Sequence, residues 1–269
     1  MPIIDLHSHT KYSDGTATPA QTVFLCVKAG VKMMAITDHD TVEAVEECRA
    51  GAREAGIIFI NGVEISAREH DYLHILGYKI DVKNKRFEEF LAQNRRLRNE
   101  RVKRIIKNLQ ANGILIEEEN VFSTVTNVAS RAHIADALKR AGIVSSRQEG
   151  FKKYLAKGKA AYAAPEGADI TEIIKQIKLA GGKAFLAHPG AVREIWDFPR
   201  WVNCGLDGIE VYYPTHNAQT QKDLLQIAKK YGLTVSAGSD FHGAGSGRRN
   251  KLGIEVPQEI FECLRENLC

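Results

Sequence analysis

The amino-acid sequence predicts an α/β fold built on a mainly parallel sheet. Short apolar runs alternate with helical segments over residues 1–80 and again after about residue 168. These runs are nearly continuous in apolar side chains, as in strands that are buried on both faces of a parallel sheet. About seven such strand–helix units predict a sheet that closes, or nearly closes, into a barrel.

The first eighty residues contain the clearest local signals. A strand over residues 3–7 leads into a helix from Pro19 to Lys28. Thr18 is the expected N-cap before a proline in the first turn, and Gly30 is the expected C-terminal stop. Further strands are expected at 33–36, 57–60 and 72–78, with a helix ending near Gly56 before the second of these.

The same alternation returns in the last hundred residues. The expected elements are, in order, a helix at 171–180, a strand at 183–187, a helix near 193–203, a strand at 208–211, a helix at 219–231 and a strand at 234–237. We therefore predict a barrel domain that comprises residues 1–80 and 166–269.

Residues 81–165 interrupt the alternation of strands and helices. Apolar residues recur at helical spacing from Phe87 to Leu109, and shorter helices are expected near 130–140 and 148–156. Between Lys83 and Asn112 there are 10 Lys and Arg against 3 Glu, a local charge of +7 that exceeds the +4 of the whole chain. We predict a helical insertion, residues 81–165, that forms a lid and attracts a phosphorylated ligand.

Composition restricts the class of protein. The chain has 269 residues, of which 44% are hydrophobic and 26% charged, a composition typical of globular proteins. This length is sufficient for a large hydrophobic core. We expect no signal peptide, because the start of the chain has neither a basic n-region nor an apolar h-region. We expect no membrane partner, because no apolar run approaches the roughly 18 residues that span a bilayer. Five scattered cysteines without a Cys-x-x-Cys pair predict a reduced, cytoplasmic setting. The small net charge gives no support to long duplex nucleic acid as a partner.

Metal-ligand residue types lie at or near the ends of the predicted strands. They are His7, His9, Asp38, His39, Asp40, Glu64, His74, His188, Asp240 and His242. The carboxyl ends of parallel barrel strands meet at one face, so these side chains are expected to converge. Desolvating so many polar groups together is costly unless they bind cations. Imidazole with carboxylate suits Zn, Fe or Mn and predicts a metal-dependent hydrolase.

Five short motifs resemble those of the polymerase-and-histidinol-phosphatase (PHP) family, in order and over the chain outside the insertion. They are His7-Ser8-His9 with Asp14-Gly15, Thr37-Asp38-His39-Asp40, Gly62-Val63-Glu64, His188-Pro189 and Gly238-Ser239-Asp240-Phe241-His242. The resemblance implies a distorted (β/α)7 barrel with two or three divalent metal ions at its mouth.

The resemblance also implies which residues hold each ion. The first ion would be held by His7, His9, Glu64 and Asp240. Glu64 would bridge to a second ion held with His74 and His188, and Asp14, His39 and His242 would hold the third. Many members have histidine at the position of Asp14. A carboxylate there makes the site harder and favours Mn or Fe over Zn.

A subgroup is suggested by Ser130-Arg131-x-His133 in the insertion and by Val211-Tyr212-Tyr213-Pro214. These segments are similar to those of PHP proteins that act on nucleotides. The resemblance implies that Arg131 and His133 reach the substrate phosphate, with Ser130 and Asp14 beside it and His133 as a possible acid. Both can face one phosphate only at a helix start, where Ser130 would be the N-cap.

The expected reaction is hydrolysis of nucleotide phosphomonoesters, such as AMP or a nucleoside 3′,5′-bisphosphate, by a metal-activated water. Three alternatives stay open at this point. The protein could be a 5′–3′ exonuclease on short oligoribonucleotides, a histidinol-phosphate phosphatase, or a non-catalytic metal-stabilised scaffold.

Overall fold

The computed structural model describes residues 1–244, 246–247 and 251–269, and eight strands in this part of the chain form one sheet. They are β1 (Ile3–Asp5), β2 (Val31–Ile36), β3 (Ile58–Ser66), β4 (His74–Tyr78), β5 (Lys183–Leu186), β6 (Gly208–Tyr212), β7 (Thr234–Ala237) and β8 (Ile254–Glu255). Their spatial order is β7-β6-β5-β4-β3-β2-β1-β8.

Helices connect and cover these strands. They are α1 (Pro19–Lys28), α2 (Val45–Glu54), α3 (Lys85–Ala111), α4 (Glu118–Phe122), α5 (Arg131–Arg140), α6 (Arg147–Gly150), α7 (Ile170–Leu179), α8 (Phe198–Asn203), α9 (Ala218–Tyr231) and α10 (Gln258–Leu268). A π-helical turn follows α6 over Phe151–Leu155, and a 3₁₀ segment covers Pro189–Ile195. Within the described residues, no helix has the length and apolarity to cross a membrane.

The sheet closes into a barrel because the end of β1 continues beside the end of β7. The amide of Leu6 donates to the carbonyl of Ala237 at 3.0 Å, and the amide of Asp240 donates to the carbonyl of His7 at 2.8 Å. Strand β8 pairs antiparallel with the first half of β1. The architecture confirms the predicted α/β class and the distorted (β/α)7 barrel.

Several local predictions are confirmed. Helix α1 has the predicted bounds, and Thr18 forms a capping box with Gln21. Gly30 follows the helix with φ of +72°, the left-handed conformation expected of a glycine stop. Strand β7 also has the predicted bounds.

Other local predictions are wrong. Strand β4 runs antiparallel to both neighbours, so the sheet is less parallel than expected. Glu64 lies inside β3, which continues to Ser66, rather than after the third strand. The helix expected near 193–203 is instead a 3₁₀ segment and α8, separated where Asp197 caps the second piece.

Residues 81–165 are helical and have a core of their own. Helix α3 has 27 residues, a length of about 40 Å. Near its start, Phe87 and Leu91 pack in the barrel core. Further along, Val102 and Leu109 pack with Leu138 of α5 in a separate cluster, all of whose buried members lie within this segment. One long helix therefore joins the two cores.

Candidate metal centre

The nine side chains predicted as ligands gather at one end of the barrel. All are buried except His74, which is largely buried. Their nitrogen and oxygen atoms form a continuous network with neighbours 2.7–3.9 Å apart. Because these residues come from widely separated parts of the chain, the barrel topology alone brings them together.

The first group consists of His7, His9, Glu64 and Asp240. Nε2 of His7 lies 3.4 Å from Glu64 and 3.5 Å from Asp240, and Nε2 of His9 lies 3.1 and 3.2 Å from the same two carboxylates. Ligands about 2.0–2.2 Å from a common ion are separated by roughly 3.0–3.5 Å when their bonds are 90–109° apart. The four donor atoms therefore have the spacing of a coordination shell.

A second group is formed by Asp14, His39 and His242, together with His9. Oδ1 of Asp14 lies 3.2 Å from Nε2 of His242 and 3.9 Å from Nε2 of His39. His9 thus borders both groups: its Nε2 faces the first and its Nδ1 lies 3.9 Å from Asp14. This set contains the three residues that the family resemblance implies for the third ion.

Glu64 joins the first group to a third. Its Oε1 contacts Nδ1 of His74 at 2.7 Å and Nε2 of His188 at 3.1 Å, whereas its Oε2 contacts Nδ1 of His39 at 3.1 Å. Ligand atoms of His39, Glu64 and His74 lie within 4.8 Å of one another, and His188 contacts the same Glu64. Glu64 has the central position that a bridging ligand requires.

The donor atoms are arranged for binding cations rather than for hydrogen bonding to one another. Several are buried yet make no well-oriented hydrogen bond within the described chain: Nε2 of His7 and His9, Nδ1 of His39 and His188, and Oδ1 of Asp14. Leaving buried polar atoms unsatisfied is costly, and native structures rarely do so without a reason. Convergent imidazole and carboxylate donors without cysteine suit a Zn, Fe or Mn ion.

The charges in this cluster shift its titration strongly. Burial lowers the pKa of His9, but Asp240 and Glu64 outweigh it and raise the pKa to about 9. Burial lowers the pKa of His74 to about 4, because Glu64 offsets it only in part. Burial would raise the pKa of Glu64, but His39, His74 and His7 hold it well below its usual range. In the metal-free protein, His9 therefore carries a proton that a cation must displace.

Three residues of the centre have strained backbones. His188, Asp240 and Asp40 have φ of +30°, +52° and +51°, in the left-handed region that non-glycine residues rarely adopt. Two of them are predicted ligands, and the third directly follows His39. Strain of this kind persists where the surroundings impose it, and it concentrates at functional sites.

The sequence did not indicate a further buried carboxylate, which holds two of the predicted ligands in place. Glu210 of β6 is fully buried; its Oε1 accepts from Nδ1 of His7 at 3.0 Å, and its Oε2 accepts from the amide of His188 at 2.7 Å. This carboxylate orients the His7 ring so that Nε2 faces Glu64 and Asp240. The available signal was a lone glutamate within the apolar run Ile209–Val211.

Two aspartates shape the backbone around the ligands. Asp38 accepts from the amide of Thr10 at 2.8 Å and from the hydroxyl of Ser13, which holds the loop after His9. Asp5 accepts from the amide and hydroxyl of Ser239, directly before Asp240. The sequence placed Asp38 among the ligand-type residues, but its oxygens are engaged in hydrogen bonds to this loop.

A cleft opens beside the cluster, between the barrel and residues 81–165. Ser130 and Arg131 line it, as do the predicted ligands Asp14, His39 and His74. The Ser130 hydroxyl donates to Oδ2 of Asp14 at 3.1 Å, which places the start of α5 directly against the cluster. Ser130 is the N-cap of α5, as predicted.

Arg131 and His133 occupy different surroundings. The Arg131 guanidinium lies between the rings of Tyr72 and Phe151, 5.8 and 5.4 Å from their centroids, and 3.3 Å from Asp71. Nδ1 of His133 accepts from the amide of Ser130 at 3.1 Å in a capping box. Burial lowers the pKa of His133, so the ring is neutral near pH 7 with its proton on Nε2.

Two more arginines of α3 line the same cleft, which the sequence indicated only as a positive local charge. Arg98 pairs with Asp40 at 2.9 Å and also contacts Ser66. Arg101 shares Asp71 with Arg131. The three guanidinium groups are thus held by two aspartates, and Asp71 serves both Arg101 and Arg131.

A barrel that carries a buried cluster of histidine and carboxylate donors at its mouth, beside an arginine-lined cleft, defines a metal-dependent hydrolase of phosphate esters. The PHP domain model matches residues 5–182, and the chain belongs to this family. It is a metal-dependent phosphoesterase, as the motif resemblance implied.

Relatives and solved structures cover nearly all of the chain. A 5′-3′ exoribonuclease of Haemophilus influenzae is 36% identical over 88% of this chain and 89% of its own length. A 3′,5′-nucleoside bisphosphate phosphatase of Chromobacterium violaceum is 34% identical over 93% and 90%. A crystal structure from Bifidobacterium adolescentis, described as a metal-dependent phosphoesterase, is 32% identical with TM-score 0.89 and covers 98% of this chain and 95% of that one.

Proposed function

We propose that this protein hydrolyses phosphomonoesters of nucleotides, such as AMP and nucleoside 3′,5′-bisphosphates, with water as the nucleophile. The observation that carries the proposal is the cleft that places Arg98, Arg101 and Arg131 beside the donor cluster. Guanidinium groups match phosphate oxygens in charge and planar geometry, and they are preferred over lysine where orientation matters. The Chromobacterium relative is named for this activity.

We propose two or three divalent ions, with Mn or Fe favoured over Zn because Asp14 adds a hard ligand. The holding residues would be His7, His9, Glu64 and Asp240 for one ion, Glu64, His74 and His188 for another, and Asp14, His39 and His242 for the third. When bound, such ions neutralise phosphate charge and lower the pKa of water enough to supply hydroxide near neutral pH.

The residues of the helical segment would bind and orient the substrate. Arg131, held between two aromatic rings, would donate to phosphate oxygens from a fixed position. His133 would donate one hydrogen bond from Nε2, because its Nδ1 is already an acceptor. A neutral ring with a lowered pKa suits this role better than that of a general acid, so His133 would act as a hydrogen-bond donor rather than as the acid.

A second candidate function is 5′–3′ cleavage of short oligoribonucleotides. A second cleft meets the first at Tyr72, His74 and Phe151 and extends along Tyr213 and Pro214. Aromatic surfaces next to an electropositive groove are the usual means of holding successive bases. The second cleft would receive the nucleotides beyond the one at the metal centre.

The structure gives less support to the remaining alternatives. Histidinol phosphate carries a cationic amine, but the cleft carboxylates Asp40, Asp71 and Glu166 are already engaged by arginines. A non-catalytic scaffold would not need an open arginine-lined cleft at its metal donors. Activity on histidinol phosphate and the metal content of the purified protein test these two alternatives.

The proposed setting is the cytoplasm. All five cysteines are free, as expected of a reducing compartment. The proposed partner is a small phosphorylated nucleotide, and neither a membrane nor long duplex nucleic acid is part of the proposal.

The test is a substrate screen on protein whose metal content has been measured. Adenosine 3′,5′-bisphosphate, AMP, histidinol phosphate and di- to pentanucleotides with a 5′-phosphate are compared by kcat/KM. The proposal predicts metal in the purified protein and the highest kcat/KM on the bisphosphate or AMP. Preference for oligonucleotides would favour the second candidate, and preference for histidinol phosphate or lack of metal would contradict both.

The oligonucleotide reading has its own matched test. Replacing Lys152, which lines only the second cleft, by alanine should lower kcat/KM on a trinucleotide more than on AMP. Lys157, an exposed lysine that lines neither cleft, is the control. An equal response of the two substrates would remove the second cleft from the oligonucleotide path.

A further inference from the structure

The loop that carries His188 holds an unfavourable backbone conformation. His188 has φ of +30° and ψ of +54°, and in this conformation its Nε2 lies 3.1 Å from Oε1 of Glu64. A β-carbon in the left-handed region crowds the following carbonyl, so a free loop would relax to another conformation. Something outside the loop must therefore keep His188 directed at the metal centre.

Among the described residues, Glu210, Trp196 and His216 each make a hydrogen bond that holds the backbone of residues 188–190. Glu210 accepts from the amide of His188 at 2.7 Å, and the Trp196 indole donates to the carbonyl of Pro189 at 2.8 Å. The third tie is made by His216, whose Nε2 accepts from the amide of Gly190 at 3.1 Å. Glu210 and Trp196 hold the first two residues of the loop, and His216 holds the third.

The His216 ring is itself fixed in one tautomer. Its Nδ1 lies 2.9 Å from the carbonyl of Val211, which can only accept, so Nδ1 carries the proton and Nε2 is the acceptor. The residue is buried, and burial lowers the pKa of His216, which favours this neutral form. The ring thus connects the end of β6 to the His188 loop through two well-defined hydrogen bonds.

Packing at Gly190 shows how close this connection is. A β-carbon at residue 190 would lie 2.7 Å from the His216 ring, closer than any real contact. Gly190 therefore permits the ring to approach its backbone, and the amide of Gly190 has a buried partner only because the ring is there. Without an acceptor at Nε2, this amide would lose its hydrogen bond in an interior where replacement is costly.

We propose that His216 is a positioning residue that keeps His188 directed at Glu64 and thereby completes one ion site of the metal centre. The hydrogen bonds of the His216 ring go to Gly190 and Val211 rather than to donor side chains, and His216 was not among the sequence-predicted site residues. The proposal rests on the proposed metal centre, since His188 is one of its ligands. The new element is that a histidine outside the cluster, His216, controls the orientation of the ligand His188.

Two substitutions separate the two hydrogen bonds of the ring. Asparagine reaches as far as Nδ1 and can still donate to Val211, so His216→Asn removes only the tie to Gly190. Glutamine reaches as far as Nε2 and can still accept from Gly190, so His216→Gln keeps that tie. Gln221→Ala is the control, because Gln221 donates to the backbone carbonyl of His216 and does not touch its ring.

The readouts are metal per chain after dialysis, kcat and KM on a nucleotide, and the melting temperature. The proposal predicts that His216→Asn loses about one ion per chain and 10–100-fold in kcat, a range typical for residues that orient metal ligands. Its KM should stay within about twofold, because the arginine cleft is unchanged. His216→Gln should regain most of the metal and most of kcat, and Gln221→Ala should resemble the wild type.

The proposal would be overturned if His216→Asn kept the metal content of the wild type. It would also be overturned if His216→Asn and His216→Gln lost equal amounts of metal and kcat, or if neither variant folded. The outcome is distinguishable from failure of the proposed function. If the wild-type protein binds metal but hydrolyses no nucleotide, the proposed substrate is wrong, while the metal content of the variants still decides the role of His216.

Discussion

The mouth of the barrel and the helical segment 81–165 handle charge in opposite ways. At the mouth, several donor atoms such as Nε2 of His7 and His9 are buried without well-oriented hydrogen bonds. In the helical segment, Arg98, Arg101 and Arg131 are each paired with an aspartate supplied by the barrel. The mouth is incomplete without cations, whereas the arginines are already oriented. We therefore propose that the mouth supplies the chemistry and that the helical segment selects the substrate.

The largest expected effect comes from the centre of the mouth. Glu64→Gln replaces the carboxylate that contacts five histidines by a neutral amide, which is a poor bridge between cations. We expect loss of metal and a fall in kcat of about 10³-fold or more, since metal ions contribute several kcal/mol to phosphoryl transfer. Metal analysis and kinetics check this, with exposed Glu255→Gln as the control. Wild-type metal content and turnover in Glu64→Gln would exclude the bridging role.

The corresponding change in the helical segment should affect the substrate and spare the metal. Arg131→Ala removes a charged hydrogen-bond donor, which is expected to cost about 1.5–3 kcal/mol in kcat/KM. The loss should be larger for adenosine 3′,5′-bisphosphate than for p-nitrophenyl phosphate, which lacks the second phosphate to which Arg131, in the cleft beside the metal centre, would donate. Arg140→Ala, at the exposed end of the same helix, is the control. Unchanged kcat/KM on both substrates would remove Arg131 from the site.

A smaller effect is expected for Glu210, the buried carboxylate that orients His7. Glu210→Gln weakens the hydrogen bonds that orient His7 and the amide of His188. Metal affinity should fall by about 10–100-fold, with little change in KM once metal is restored in excess. Titration of the metal-free protein with Mn²⁺ measures this. An affinity equal to that of the wild type would mean that the buried carboxylate serves only the fold.

The smallest expected effect is on the pH dependence of the metal-free protein. The pKa of His9 is raised to about 9 by its carboxylate neighbours. Its contribution to stability is therefore fully present below its ordinary pKa of about 6.5 and is lost as the pH rises toward 9. Melting temperatures of chelator-treated protein should fall over this interval, and metal-loaded protein should not follow. Parallel curves for the two forms would contradict this assignment.

The sequence anticipated much of the mouth because local signals and chemistry agree there. Thr18 and Gly30 delimit α1 by capping rules, and the predicted ligands are uncommon residue types next to apolar strands. The direction of β4 was not predictable, because strand direction depends on which neighbours a strand pairs with and not on its own pattern. Glu64 was placed after its strand because the run of apolar residues is interrupted by Asn61 and Gly62, although the backbone continues to pair beyond them.

The supporting residues were harder to find. Glu210 and His216 are single polar residues near an apolar strand, and nothing local distinguishes them from satisfied core residues. Their roles depend on contacts with His7 and Gly190, which are distant in the chain. Likewise, the basic stretch between Lys83 and Asn112 predicted an attractive surface, but only the fold shows that Arg98 and Arg101 face the cleft.

One kinetic comparison tests the division between mouth and helical segment most directly. The kcat/KM of metal-reconstituted wild type, Glu64→Gln and Arg131→Ala is measured on adenosine 3′,5′-bisphosphate and on p-nitrophenyl phosphate. We predict that Glu64→Gln loses activity on both substrates alike, whereas Arg131→Ala keeps its metal and loses more on the bisphosphate. Equal losses of the Arg131 variant on both substrates, or a Glu64 variant that remains active on either, would contradict the account.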